Sequence, residues 1–222
     1  MKKYIAELIG TFALVFVGAA AGSHLNQNHS NWPEFVNLLT VALAHGLILA
    51  GMIYALGHIS GIHVNPAVTI AMRITGKIGS KDAVGYIIAQ FTGAALAGLM
   101  LGKLFDPQVT GNLGSTTLNG ITPSTGFLCE AVGTFLFFTV IFGAAVDGRT
   151  AGNMVGLAIG LTLAALIICF GPFTGAALNP ARTFGPALAS GHWDHFFGVY
   201  VAGPVIGGSL AGILQTKFFM KA

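Results

Sequence analysis

Two identical tripeptides, Asn65-Pro66-Ala67 and Asn179-Pro180-Ala181, carry the most distinctive chemistry in the chain. Asparagine directly before proline reads as a helix N-cap followed by the first helical residue. The carboxamide oxygen accepts from a free backbone N–H, and proline lacks the donor that its position would leave unpaired. With the oxygen committed to the cap, the NH2 group is expected to stay free to donate away from the helix. Two such donors at one point would orient a small polar molecule that accepts from both. Two helix N-termini, each worth about half a positive charge, would repel cations at the same place. Water held there would point its own hydrogens away from the centre and interrupt a proton wire. This is the chemistry of orientation and exclusion, with no bond made or broken.

Three other ionisable residues fall in strongly apolar surroundings: Glu7, Glu130 and Arg182. Such residues are expensive in lipid and are expected to have a specific task. For the two glutamates, a structural anchor is the stronger expectation. His58 and His63 have no carboxylate or cysteine ligands near them in sequence, so neither a metal site nor a cofactor is expected. His24, His29, His192 and His195 read as ordinary loop or interfacial residues, and Trp32 and Trp193 as interfacial anchors. A membrane enzyme would need a nucleophile paired with a base, or a metal centre, and no such cluster is visible.

The elements that position these residues follow from composition. Of 222 residues, 54% are hydrophobic and only 8% charged, against about 25% charged in a soluble domain. Too few charges remain to cover a water-facing surface, so the chain reads as an integral membrane protein with no nucleic-acid patch. Six stretches approach the ~20 apolar residues of a membrane span: 4–22, 35–57, 82–104, 126–146, 153–171 and 196–217. Two shorter segments, 65–75 and 179–189, begin at the Asn-Pro pairs and reach only partway across. Loops are expected at 23–34, 105–125 and 147–152. Lys2 and Lys3 precede an apolar run without a clear cleavage site, so that run reads as a retained first span.

An internal repeat relates the halves, approximately 1–122 and 123–222, within a single transmembrane domain. Ala6-Glu7-Leu8-Ile9-Gly10-Thr11-Phe12 matches Cys129-Glu130-Ala131-Val132-Gly133-Thr134-Phe135, and the Asn-Pro-Ala copies match later in each half. Gly57-His58-Ile59-Ser60-Gly61 has a looser counterpart in Gly171-Pro172-Phe173-Thr174-Gly175. Three spans per half invert the second half relative to the first, and short segments at corresponding places point to a transport site. With the N-terminus inside, Lys2, Lys3, Arg73, Lys77, Lys81, Arg149, Lys217 and Lys221 all fall on the cytoplasmic side, which places both termini there. Small residues, among them Gly85, Gly93 and Gly98 and then Gly203, Gly207, Gly208 and Gly212, predict close packing of the third and sixth spans. Such packing suits a rigid body. Cys129 and Cys169 read as small buried hydrophobes.

The segments Gly57–Thr69 and Leu178–Ala187, with the two tripeptides inside them, resemble the signatures of the aquaporin (major intrinsic protein) family. The resemblance spans essentially the whole chain. It implies an all-α membrane protein of six transmembrane helices plus two re-entrant half-helices, an inverted-repeat aquaporin fold. It further implies one pore per subunit and a homotetramer in the lipid bilayer of the cell membrane. By the same resemblance, the backbone carbonyls of Gly61, Ile62, His63 and Val64, and of Gly175, Ala176, Ala177 and Leu178, form a ladder for permeating molecules. Glu7 and Glu130 would anchor the re-entrant loops. The outer selectivity filter would comprise His45, Ile167, Ala176 and Arg182, a set that looks like that of tonoplast-type aquaporins.

Those relatives pass water, and many also pass ammonia, urea or hydrogen peroxide. Glycerol facilitators generally have Asp after the second motif's Arg, where this chain has Thr183. Ala187 and Tyr200 look water-channel-like, while Val201 departs from the usual Trp. The expected function is a passive water channel that excludes protons and ions. A facilitator whose main cargo is ammonia, hydrogen peroxide, urea or glycerol is the alternative. A proton-coupled carrier using Glu7 or Glu130 is the competing class, although the half-helix starts carry no acidic partner for a coupling ion.

Overall fold

The computed structural model describes residues 1–28, 33–106, 112–147, 149 and 152–220, with backbone alone at 24–28. His29, Trp32 and Lys221 lie outside the described residues, as does the side chain of His24. In lipid every backbone polar group must be satisfied within the chain, and an apolar sequence meets that demand as helices. Among the described residues eight α-helices are present: α1 (Lys2–Asn28), α2 (Glu34–Ser60), α3 (Pro66–Ile74), α4 (Ser80–Leu104), α5 (Pro123–Ile141), α6 (Val155–Thr174), α7 (Pro180–Ser190) and α8 (Ala202–Leu214). Wider π turns extend α5 through Phe142–Asp147 and flank α8 at Phe196–Val201 and Gln215–Phe219.

Length separates the helices into two classes. Among the described residues six helical stretches are long and apolar enough to cross a membrane. With 9 and 11 residues, α3 and α7 are about 14 and 16 Å long, half of a ~30 Å hydrocarbon core. They are the two half-helices that the Asn-Pro pairs predict. The crossing helices run beyond the expected spans, because polar ends such as Lys2–Lys3 and His58–Ser60 continue the helix into the interface. At their C-terminal ends α2 and α6 stop at Gly61 and Gly175, whose φ angles of 85° and 77° are left-handed.

Packing repeats between the halves. α1 packs on α2 and α4 as α5 packs on α6 and α8. The half-helices are exchanged: α7 lies on α4 and α3 on α8, so each half is completed by the other. Across the centre α2 meets α6, where a Cβ added at Gly46 would run into the carbonyl oxygen of Gly160, and the reverse holds for Gly160. The expected small-residue faces are present on α4 and α8, with Gly93 against the Leu8 backbone and Gly207 against Ala131. The central Gly46–Gly160 contact was not among the expectations. Cys129 is half-buried and Cys169 exposed, which corrects the expectation that both are buried.

Gly46→Val is expected to force α2 from α6, because backbone on the far side leaves no flexible atom to yield. Overpacking costs about 1–3 kcal/mol, and each kcal/mol lowers Tm by about 2–4 °C in a chain of this size. Gly51→Ala, on the same helix with no atom within 4 Å of the added Cβ, is expected to leave Tm unchanged. Thermal unfolding of the detergent-solubilised variants checks the pair.

Candidate functional site

Both tripeptides begin their half-helices as the sequence predicts. Asn65 is extended (φ −154°, ψ 118°) and its Oδ1 accepts from the backbone N–H of Ala67 at 2.9 Å. Asn179 is the same (φ −160°, ψ 111°), accepting from Ala181 at 2.9 Å and Arg182 at 3.3 Å. The NH2 groups differ from expectation. Asn65 Nδ2 donates to the carbonyl of Leu178 at 2.8 Å, and Asn179 Nδ2 donates to the carbonyl of Val64 at 2.9 Å. Each amide therefore spends one N–H on tying its motif to the other, and its second N–H remains. Both asparagines border the main cavity.

The backbone before each motif runs back from the end of a crossing helix to its half-helix in an unusual conformation. Ile62 (φ 47°), Val64 (φ 43°), Ala176 (φ 43°) and Leu178 (φ 49°) all occupy the left-handed region. For a β-branched residue this is an outlier, costing on the order of 1–3 kcal/mol, and it persists only where the surroundings hold it. Glu7 holds the first copy. Its Oε1 accepts from Ser60 Oγ at 2.8 Å and the His63 N–H at 2.9 Å, and its Oε2 accepts from the Val64 N–H at 2.7 Å and Gln90 Nε2 at 2.8 Å. Ser60 Oγ in turn accepts from the Ile62 N–H at 3.0 Å.

Glu130 holds the second copy in the same way. It accepts from Thr174 Oγ1 at 2.7 Å, the Ala177 N–H at 3.0 Å and the Leu178 N–H at 2.7 Å, while Thr174 Oγ1 accepts from Ala176 at 3.0 Å. Both carboxylates are fully buried. With the N–H groups turned toward glutamate, the carbonyls turn the other way. Among the described residues, no protein donor reaches the carbonyls of Gly61, Ile62 and His63 or of Gly175, Ala176 and Ala177. The Val64 and Leu178 carbonyls, expected in the ladder, are taken by the asparagines. Gly175 lies outside the cavity lining.

A tyrosine pair also supports the loops. Tyr86 donates to the Ser60 carbonyl at 2.8 Å, and Tyr200 to the Thr174 carbonyl at 3.0 Å. One constant offset relates Ser60 to Thr174, Asn65 to Asn179 and Tyr86 to Tyr200. Extending the motif alignment by that offset would have found the pair from sequence. The same offset sets Gln90 opposite Pro204, so Glu130 lacks the glutamine that Glu7 has.

The four proposed filter residues border one cavity. His45 Nδ1 lies 2.9 Å from the Val41 carbonyl, so Nδ1 carries a proton and Nε2 is an acceptor. Arg182 Nε points at that Nε2 from 3.4 Å, and Nη1 donates to the Gly114 carbonyl at 3.0 Å. Among the described residues no carboxylate pairs with Arg182, so the guanidinium is not neutralised in a buried ion pair. Ile167 and Ala176 are buried beside it.

The segment 112–119, expected only as loop, straps this end. Leu113 is fully buried, Thr116 Oγ1 is 3.0 Å from Thr183 Oγ1, Ser115 Oγ is 3.1 Å from Ser190 Oγ, and the Asn119 N–H donates to Phe173 at 2.9 Å.

The cavity has a volume of about 980 Å3. It extends from Tyr54, Lys77 and Asn153, past the paired asparagines, to His45 and Arg182. Its lining includes the apolar side chains of Leu49, Val68, Phe137, Ile159 and Leu163. His58 and His63 line it too, and His63 Nδ1 lies 3.1 Å from Thr69 Oγ1. Among the described residues, no group of three His, Cys, Asp or Glu is placed to hold a metal. Trp193 packs edge-on against Phe184 and Phe196 and is partly exposed, as an interfacial residue would be. The arrangement suits the passage of small polar molecules past backbone acceptors and amide donors among apolar side chains.

Comparison with known proteins agrees with that reading. The family model described as major intrinsic protein matches residues 1–215. The probable aquaporin AqpM of Archaeoglobus fulgidus is 41% identical, covering 96% of this chain and 95% of that protein. Aquaporin AqpM of Methanothermobacter thermautotrophicus is 42% identical, with 96% and 95% covered. The X-ray structure of the aquaglyceroporin from Plasmodium falciparum superimposes with a TM-score of 0.80 at 23% identity, over 98% of this chain and 96% of that one, a likeness of fold. The six apolar crossings, two opposed capped half-helices and whole-length family match establish that this chain belongs to the major intrinsic protein family, multi-pass membrane channels for water or small solutes.

Proposed function

We propose that this protein is a passive water channel that excludes protons and ions and admits some small neutral solutes. The observation that carries the reading is the meeting of Asn65 and Asn179 at one level of the cavity. Each donates one N–H to the other motif and keeps a second. A water accepting from both remaining donors has its hydrogens directed outward, toward the carbonyls of Ile62 and His63 on one side and Ala176 and Ala177 on the other. No water-to-water proton relay crosses that point. The two N-terminal ends, each about half a positive charge, add a barrier to cations.

Selectivity in this reading lies at His45, Ile167, Ala176 and Arg182. Arg182 spends Nε and Nη1 on His45 and Gly114, which fixes the cation in place and leaves its charge unpaired. A permeating cation within about 4 Å would meet repulsion of roughly 4 kcal/mol at an effective dielectric constant of 20. Water loses less, since carbonyls replace its hydration. Ile167 presents a hydrocarbon wall where a hydrogen-bonding one would favour water more strictly. That supports the second reading, a facilitator that also carries ammonia, hydrogen peroxide, urea or glycerol.

Residues 1–222 act here as one channel domain built from two inverted repeats, 1–122 and 123–222, with both termini cytoplasmic in the cell membrane and four copies per assembly. The seven basic residues Lys2, Lys3, Arg73, Lys77, Lys81, Arg149 and Lys217 at one face support that orientation.

Proteoliposomes in stopped-flow light scattering are expected to shrink far faster than empty vesicles, with low activation energy, and to pass glycerol slowly. Equal water rates with and without protein would sink the channel, and water flux that follows an imposed proton gradient would indicate a coupled carrier. Replacing both large filter groups, His45→Ala with Arg182→Ala, is expected to raise urea and glycerol permeability at least about tenfold, equivalent to about 1.4 kcal/mol off the barrier. Cation leakage should rise in the same vesicles. Unchanged selectivity in the double variant would remove the filter assignment.

A further inference from the structure

Helix α1 contributes to the end of the cavity that holds His45 and Arg182 through a residue that has no side chain. A Cβ built on Gly18 would collide with the imidazole of His45 at Nε2, Cδ2 and Cε1. The tip of the ring therefore rests on the α1 backbone at residue 18. Its other fixed points are the Nδ1 contact with Val41 on its own helix and the Nε2 contact with Arg182. The ring is buried and borders the cavity.

The second half of the molecule offers an internal comparison. The offset from Glu7 to Glu130 pairs Gly18 with Ile141, and the offset from Asn65 to Asn179 pairs His45 with Ile159. Both isoleucines are buried and line the cavity toward the face that carries the chain ends. Where no ring has to be seated, a large residue occupies the position of Gly18. The glycine thus accompanies the histidine and not the helix as such.

We propose that Gly18 determines the specificity of this channel as a positioning residue. Its missing side chain makes the recess that draws His45 back from the axis, and so sets how much of the imidazole projects into the filter. The inference rests on the filter reading of His45 given above. A methyl group at residue 18 would push the ring out of the recess, and α2 behind the ring leaves the cavity as the direction of escape. The opening between His45 and Arg182 would then narrow, excluding bulky solutes before water.

The test uses the full chain in proteoliposomes, with water, urea and glycerol as probes. Gly18→Ala is expected to lower water permeability at least about fivefold, and urea and glycerol permeability further. Gly22→Ala lies one turn along the same helix, where the added Cβ meets only Val41 Cγ2 at 3.8 Å, and it is expected to match the parent. In the His45→Ala background there is no ring to displace, so Gly18→Ala should have no further effect. Altered solute permeability in His45→Ala combined with a silent Gly18→Ala would overturn this inference alone. Solute permeability unchanged in His45→Ala would overturn the filter reading and the inference with it. Equal loss from Gly18→Ala in both backgrounds would make residue 18 a helix-packing position and nothing more. Should Gly18→Ala fail to assemble, recovery of folded protein in the Gly18→Ala, His45→Ala variant supports the clash, and failure of both overturns it.

Discussion

Backbone that returns into the membrane outside a helix lacks intrahelical partners for its polar groups, and every other feature of this protein answers to that constraint. Two five-residue connections, 61–65 and 175–179, do so here. Their N–H groups converge on a buried carboxylate, Glu7 in one half and Glu130 in the other. Hydrogen bonds to a charged acceptor are roughly twice as strong as neutral ones, which helps a carboxylate remain in an apolar interior without a cation beside it. The alternation of left-handed residues then follows, since it is what turns successive N–H groups to one side. Once they point inward, the carbonyls must point toward the cavity. Anchor and ladder are two faces of one solution.

The two halves share this scaffold but differ in what fills it. Glu7 has Gln90 as an additional donor, where Glu130 has none and Pro204 stands at the matching place. Thr69 faces His63 and Gln90 within its own half, whereas Thr183 is tied to Thr116 in the strap between the halves. Ile159 stands where symmetry would put His45. These departures from the repeat leave the end that holds Arg182 chemically different from the other. Symmetry supplies the path across the membrane; its local failures supply the proposed selectivity.

Much of this was legible in the residues. Asn-Pro fixes a helix start by chemistry local to three residues, and a segment of half-span length beginning there has few other fates. Glu7 and Glu130 stood out because a carboxylate in an apolar run needs a reason. The crossed amide bonds were not legible, because Asn65 meets Leu178 only after two halves have folded together. Nor was the left-handed backbone at Ile62 and Val64, which runs against what β-branched residues prefer on their own. The strap at 112–119 looked like any polar loop until Leu113 was buried and its neighbours reached α7. Gly18 and Gly46 were anonymous among 32 glycines, since what distinguishes them is the atom opposite.

The same contacts bear on how transport proceeds. Alternating access in inverted-repeat proteins moves one repeat or bundle against the other. Here α3 is packed on α8 and α7 on α4, so each half carries an element seated in the other. Separation would also break both amide–carbonyl bonds at the centre, leaving buried groups unsatisfied at about 1–3 kcal/mol for each. At Gly46 and Gly160 backbone touches backbone, and rigid packing of that kind has no side chain to slide. Proton coupling through Glu7 or Glu130 meets a similar obstacle. A protonated carboxyl gives up part of its acceptor capacity, and the N–H groups of Val64 or Leu178 would lose the partner that holds them. The carboxylates are committed to keeping the path open, which is the work of a channel and conflicts with the work of a carrier.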